Sequence, residues 1–428
     1  FRQSAAMVQQ ARAGLFPALA FGYSPNRWHE GAAAAASFGE AGASAVTATT
    51  VTMGPQVTWD IDIWGKIRRQ VESDIDAAQA SAADLANARL LSRTQLAAAY
   101  FNLRAADSLQ KLLDDTAKGY EEIFEITEAR YRQGVSSLYD VSTAETQAKT
   151  AQAQAIGVAA QRATYEHAIA VLMGRPPADV SIPWRPLGFD IPEIPASVPS
   201  TLLERRPDIA SAERTIASKN ALIGVAVAAY FPDVSLSGFG NGVLPYATYG
   251  WIGSKAFPIA VANEVWSVGL NMAEVIFDAG LRRGEVAAAL AAYYEVVANY
   301  RQTVLTALQQ VEDQLANLRI LGEQERALAA AVRSAKKSLD ITIAEYRQGT
   351  VGFTAVVQAQ EILLSNQVNA LTVRQSRFIA SVHLIQALGG GWDTSWLPTY
   401  DQLRHWRTCV GVRDMLRGPV PGEMPPCM

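Results

Sequence analysis

The chain has 428 residues, 49% of them hydrophobic and 18% charged, with 37 basic against 41 acidic side chains and a net charge of −4. That much apolar material excludes a disordered chain, and the near-balanced charge leaves no footprint for nucleic acid. Four scattered histidines exclude ordinary metal-ligand spacing, and two cysteines near the end (Cys409 and Cys427) exclude a disulfide framework.

Residues 1–13 read as the end of a helix, which Phe16-Pro17 stops. A strand pair is expected between about 17 and 63, with a Gly- and Ala-rich loop at roughly 26–43. Val57–Ile63 alternates with period two, placing Trp59, Ile61 and Ile63 on one face and Thr58, Asp60 and Asp62 on the other. From Gly65 to about Arg132 there is no proline, and Ala, Gln, Glu, Leu and Arg dominate. This predicts a helix of nearly 70 residues, about 100 Å long if unbroken. Gly134 breaks it, and a second helix returns to Gly174. Seven prolines between 175 and 199 then mark an irregular linker.

The same order now begins again. Phe16-Pro17 recurs as Phe231-Pro232, Gly65 as Gly280, Arg68 as Arg283, and Gly174 as Gly389. Tyr131-Arg132-Gln133-Gly134 recurs as Tyr346-Arg347-Gln348-Gly349, and every pair is 215 residues apart. A single offset held over this distance marks a duplicated half-chain, not a solenoid of short units. The second strand pair falls at about 232–277. There Val234 and Leu236 oppose Ser235 and Ser237, and Trp266, Val268, Leu270 and Met272 alternate with small or polar residues around a loop at 241–262. The second helical hairpin spans 280–389. The domains are therefore a first repeat at 1–174, a linker at 175–199, a second repeat at 200–391 and a tail at 392–428 without a counterpart. Residue 1 maps onto Ile216, inside a helical pattern, so an N-terminal extension is expected to precede it.

No run of about 18 apolar residues is present, which excludes an ordinary transmembrane helix. Four strands cannot close a membrane barrel, which needs about eight, and open sheet edges are not tolerated in lipid. Either the strands form a small soluble sheet packed on helices, or three chains share a barrel of twelve strands. Trp59, Trp64, Tyr246, Tyr249, Trp251, Phe257 and Trp266 cluster near strand ends, as an interfacial girdle would. The long hairpins form either a coiled-coil rod or part of a hollow helical cylinder.

The pieces AGLFP (13–17), DIWGKIRR (62–69), LERRPDI (203–209), FDAGLRR (277–283) and LGGGW (388–392) narrow these choices. With the order strand pair, long helix, YRQG tip and return helix, they resemble the TolC superfamily of outer-membrane efflux channels, in its OprM/NodT branch. The likeness runs from about residue 3 to 392. It implies a mainly α fold in which long antiparallel hairpins form an α-barrel and four strands join a trimeric, twelve-stranded transmembrane β-barrel. It also implies a homotrimer in the Gram-negative outer membrane, in contact with lipid and extending into the periplasm. The partners would be a periplasmic adaptor (membrane fusion) protein and an inner-membrane RND-type pump. The channel would be a passive conduit for drugs or small toxic compounds, without enzyme activity, cofactor or metal, and lipid-anchored through a segment preceding residue 1. The runner-up in the same fold is the exit channel of a type I protein secretion system, against which LERRPDI argues; a soluble helical scaffold is the rival outside it.

The resemblance also assigns sites. Gly134, Val135, Ser136, Ser137 and Leu138, with Gly349, Thr350 and Val351, would meet the adaptor, although a tight turn requires glycine at Gly134 and Gly349 in any case. Asp140 and Tyr346 occupy positions paired in the periplasmic gate of relatives, while Asp140 also stands where a helix cap belongs. Thr354 and Gln358 would line the constriction. Relatives often carry an aspartate ring there, where this chain has Ala355 and Gln358.

Overall fold

The computed structural model describes residues 1–30, 46–188, 190–191, 204–239, 247–252, 255–261 and 267–405. Helix α1 (Arg2–Ala13) leads into strands β1 (Ala18–Glu30) and β2 (Val46–Asp60). Then come α2 (Lys66–Arg132), α3 (Leu138–Leu172) and a 3-10 turn at Pro177–Asp179. The second half runs α4 (Pro207–Ala228), β3 (Asp233–Phe239), β4 (Ala247–Ile252), β5 (Lys255–Val261) and β6 (Ser267–Ala273). It closes with α5 (Leu281–Gln348), α6 (Phe353–Ala387), a 3-10 turn at Thr394–Trp396 and α7 (Tyr400–Arg404). The fold is mainly α, as expected. Both α3 and α6 begin and end 215 residues apart, so the duplication is repeated in the backbone.

One device ends all four long helices. Gly134, Gly174, Gly349 and Gly389 sit at φ of +77°, +70°, +79° and +88°. The residue after each glycine donates to the carbonyl five positions earlier: Val135 to Arg130, Arg175 to Ala170, Thr350 to Glu345 and Gly390 to Ile385. Each glycine itself donates three positions back, completing a Schellman cap that only the left-handed conformation allows.

Two compact units result, each drawing on both halves of the sequence. The first comprises 1–82, 211–300 and 397–428, and holds the strands. Its core joins Ala5 and Val8 of α1, Val71, Ile75 and Ala78 of α2, and Leu403 of α7. The second comprises 83–210 and 301–396. There Ala144, Ala148, Ala151 and Ala155 form a buried stripe along α3, small enough for close helix packing.

The linker is held by charge. Asp107, fully buried, accepts from Arg104 Nη1 (2.9 Å), Arg162 Nε (2.7 Å) and the Arg185 amide (3.0 Å). The arginines reach on to the carbonyls of Pro183 (2.7 Å) and Ile182 (2.6 Å). In the LERRPDI segment, Leu203 lies outside the described residues, and Arg206 is the working side chain. It donates to the Ala387 carbonyl (2.9 Å) and Gln310 (2.9 Å) and pairs with Asp208 (2.7 Å), tying the start of α4 to the end of α6.

Three expectations are corrected. The stretch 241–262, read as a loop from its glycines and aromatics, contains the antiparallel hairpin β4–β5, because Tyr249, Trp251, Ile252, Phe257, Ile259 and Val261 are strong strand formers. The strand in 57–63 ends at Asp60: Asp62 turns away to accept the amides of Ile67 and Arg68 at the start of α2. The tail does have a counterpart through Arg404. Its 3-10 turn matches that of the linker, and the Pro398 carbonyl accepts from Gln79 as Pro183 does from Arg104. Within it Trp392 is buried and Trp396 exposed, while Trp406, Cys409 and Cys427 lie outside the described residues.

Candidate functional site

The strand unit carries a sheet in the order β1-β2-β3-β6, antiparallel throughout. Register puts Ala18, Thr58, Ser237 and Gly269 in one cross-strand row and Leu19, Val57, Gly238 and Val268 in the next. One face is therefore apolar and the other small and polar. In a water-soluble sheet the apolar face is the covered one. Here Leu19, Phe21, Tyr23, Val268, Leu270 and Met272 are each more than half exposed, and all seven residues of β6 are exposed. Strands β1 and β6 each have a single neighbour, so both outer edges are unpaired within the chain. No described helix is long and apolar enough to cross a membrane, and no described residues cluster as a metal site.

Of the expected girdle, Trp59 and Trp64 lie where the strands meet the helices. Trp59 Nε1 donates to the Leu15 carbonyl (3.1 Å) and Trp64 Nε1 to that of Pro232 (2.9 Å), and Trp64 stacks on Phe231. Tyr249, Trp251 and Phe257 fall on β4 and β5; Tyr246 and Trp266 lie outside the described residues.

The hairpin tips are built differently from each other. On the first, Val135, Leu138 and Tyr139 are 61%, 60% and 75% exposed, an apolar group at the turn. Ser137 caps α3: its hydroxyl accepts the Asp140 amide, and the Asp140 carboxylate accepts the Ser137 amide, both at 3.1 Å. This is a complete capping box. At the matching place on the second tip stand Gly352 and Ala355, without a side-chain cap. Packing replaces it, with Phe353 and Val356 buried against Tyr346, Ile123 and Ala144.

Tyr346 is 3% exposed. Its hydroxyl lies 3.3 Å from Thr127 Oγ1 and 3.4 Å from Ser136 Oγ. Arg130, from the other hairpin, spreads over the ring at 4.6 Å and donates from Nη1 to the Tyr346 carbonyl at 2.6 Å. Arg347 pairs with Glu122 at 3.3 Å. Within one chain, then, Asp140 is bonded to Ser137 and Tyr346 to Thr127 and Ser136, and the two do not pair with each other. Thr354 and Gln358 are exposed one turn apart on α6. Gly134, Gly349 and Thr350 are exposed at the turns, and Val351 packs beside Tyr346. Sequence reasoning missed Arg130 and Thr127, although Arg130 directly precedes the repeated Tyr-Arg-Gln-Gly.

Comparison with known proteins follows this geometry. A family model described as outer membrane efflux protein matches residues 1–175 and 198–390. The toluene efflux pump outer membrane protein TtgC of Pseudomonas putida is 30% identical over 383 residues, covering 89% of this chain and 76% of the relative. Outer membrane protein OprJ of Pseudomonas aeruginosa is 29% identical, covering 78% of this chain and 69% of its own. Among solved structures, the outer-membrane channel OprN superposes with a TM-score of 0.79 at 28% identity, over 91% of this chain and 85% of that one. VceC of Vibrio cholerae gives 0.77 at 26% identity, over 92% and 91%.

Proposed function

The chain belongs to the outer membrane efflux protein family, and from that premise we propose that three copies form the outer-membrane channel of a tripartite efflux system. The family is one of Gram-negative outer-membrane channels, not of enzymes. The channel is a passive conduit that carries drugs or other small toxic compounds delivered by an inner-membrane RND-type pump through a periplasmic adaptor.

The observation that carries this reading is the open four-stranded sheet with its apolar face uncovered. Unpaired backbone groups cost several kcal/mol each in lipid, so both edges must find strands. Up-down alternation along β1-β2-β3-β6 lets β6 of one copy pair antiparallel with β1 of the next. The register of β1 on β2 repeats 215 residues later in β3 on β6: Ala18 faces Thr58 as Asp233 faces Ala273. Carrying the β2–β3 register across by the same offset sets Met272 opposite Tyr23, both on the apolar face. Three copies then give twelve strands, with Thr58, Ser237 and Gly269 lining the lumen.

The exposed tips serve as the adaptor contact, through Gly134, Val135, Ser136, Ser137, Leu138, Gly349, Thr350 and Val351. Asp140, Tyr346, Thr354 and Gln358, repeated three times, constitute the periplasmic gate, and an N-terminal lipid anchor precedes residue 1. Light scattering of the detergent-extracted protein is expected to give three times the 46.1 kDa of one chain. Expression in a strain lacking its own channel should restore drug resistance. A monomer retaining its native strand content would overturn the shared barrel.

A further inference from the structure

Resting on the three-copy reading, we infer that the tips of neighbouring copies meet through Tyr131 and Thr342, and that Glu345 leaves this seam without the arginine clamp that closes the seam inside each chain. The argument starts from the duplication. Tips, helix ends and strand registers all recur at the offset of 215 residues. Inside one chain, the first hairpin presents Thr127 and Arg130 to Tyr346 of the second. Around a ring of six hairpins, the second hairpin must in turn present its equivalent face to the first hairpin of the next copy.

The offset converts each contact. Tyr346 becomes Tyr131, and Thr127 becomes Thr342, so the hydroxyl pair is preserved. Tyr131 is 42% exposed in the single chain, whereas Tyr346 is 3% exposed, as expected of a residue whose cover comes from another copy. Leu138, equivalent to the buried Phe353, is likewise 60% exposed.

The charges are not preserved. Arg130 becomes Glu345, and the Glu122–Arg347 ion pair becomes Lys337 facing Arg132. Arg130 works by donating to carbonyls at the C-terminal end of α5, at 2.6 Å for Tyr346 and 3.3 Å for Arg347. A carboxylate has nothing to donate there, and it meets the negative end of the helix dipole of α2. The two seams thus share a shape and differ in strength. When the periplasmic end opens, the seam between copies parts first, and each chain's two tips move as a pair.

The test uses full-length protein with Cys409→Ser and Cys427→Ser. Chains carrying Tyr131→Cys and differently tagged chains carrying Thr342→Cys are co-expressed and treated with a short bismaleimide. A covalent pair bearing both tags is expected on denaturing gels. Trimers by light scattering without that pair overturn the seam alone; absence of trimers overturns the three-copy reading as well. For the clamp, Glu345→Arg supplies the missing donor and is expected to lower open probability in planar bilayers about tenfold. Glu345→Gln, which removes the charge without supplying a guanidinium, should change it less than about threefold. Equal open probabilities in the two variants would overturn the clamp argument.

Discussion

Arg130→Met keeps the aliphatic stem and removes the guanidinium, which isolates the clamp on Tyr346. Three terms set the magnitude. The charge-assisted bond to the Tyr346 carbonyl contributes about 1.5–3 kcal/mol, and the cation–π contact at 4.6 Å about 0.5–1. Against them, Arg130 Nε is buried without a hydrogen-bond partner among the described residues, a desolvation cost of about 1 kcal/mol that the substitution relieves. The net loss is about 2 kcal/mol, or roughly thirtyfold in local opening. Tyr346→Phe removes only a hydroxyl whose partners stand at 3.3 and 3.4 Å, and Thr127 keeps its own bond to the Ile123 carbonyl. Its cost is expected at or below about 0.5 kcal/mol. Hydrogen exchange of the Gly349 and Thr350 amides, which close the second tip, reads the difference directly. Protection should fall about thirtyfold in Arg130→Met and less than threefold in Tyr346→Phe. Equal effects of the two substitutions would refute the assignment of the clamp to Arg130.

Ser137→Ala and Asp140→Ala should each cost about 1 kcal/mol of α3 stability, and the double variant less than their sum, because the capping box is reciprocal. Asp140→Ala and Tyr346→Phe share no bond within the chain, so their effects on tip exchange should add to within about 0.5 kcal/mol. Asp107→Ala strands two buried guanidiniums and is expected to destabilise by about 3–5 kcal/mol, seen as a lowered Tm in detergent and early proteolysis near 180–187. Burial, only partly offset by Arg214 and opposed further by Glu72 and Glu213, pushes Asp76 up to about 6. The folded state holds that proton more tightly than the unfolded chain, so ionising Asp76 destabilises above pH 6 and not below about pH 4. Asp76→Asn should therefore raise Tm at pH 8 and leave it unchanged at pH 4.

The sequence made the skeleton legible because its determinants are local. Proline-free runs of helix formers and four cap glycines set the hairpins, and Ser137 with Asp140 is a cap readable from spacing alone. Strands β4 and β5 escaped because glycine and proline interrupt their alternation, and only cross-strand pairing settles such a stretch. The clamp escaped for a different reason. Arg130 has no like residue at 345, so a search for repeated positions passes over it, and its partner is fixed by packing between two hairpins. Asp107, Arg104 and Arg162 likewise look like surface charges on polar helices until the linker folds over them. The function of the LERRPDI segment, recognisable by resemblance, becomes physical only when Arg206 is seen reaching the end of α6.

The core joining Ala5 and Val8 to Leu403 has a consequence for the order of folding. Closing a loop of nearly 400 residues costs about 5 kcal/mol in chain entropy before any contact repays it. Hairpins whose strands and helices are near in sequence form first and shorten the effective loop, so the two ends meet late. Until they do, Val8 and Ile75 remain uncovered, and a chain cut anywhere before Leu403 can never cover them. This small cluster thus acts as a check on completeness: a truncated product keeps an apolar mark on α1 and α2 for proteases to find, while the full chain erases it as its last folding step.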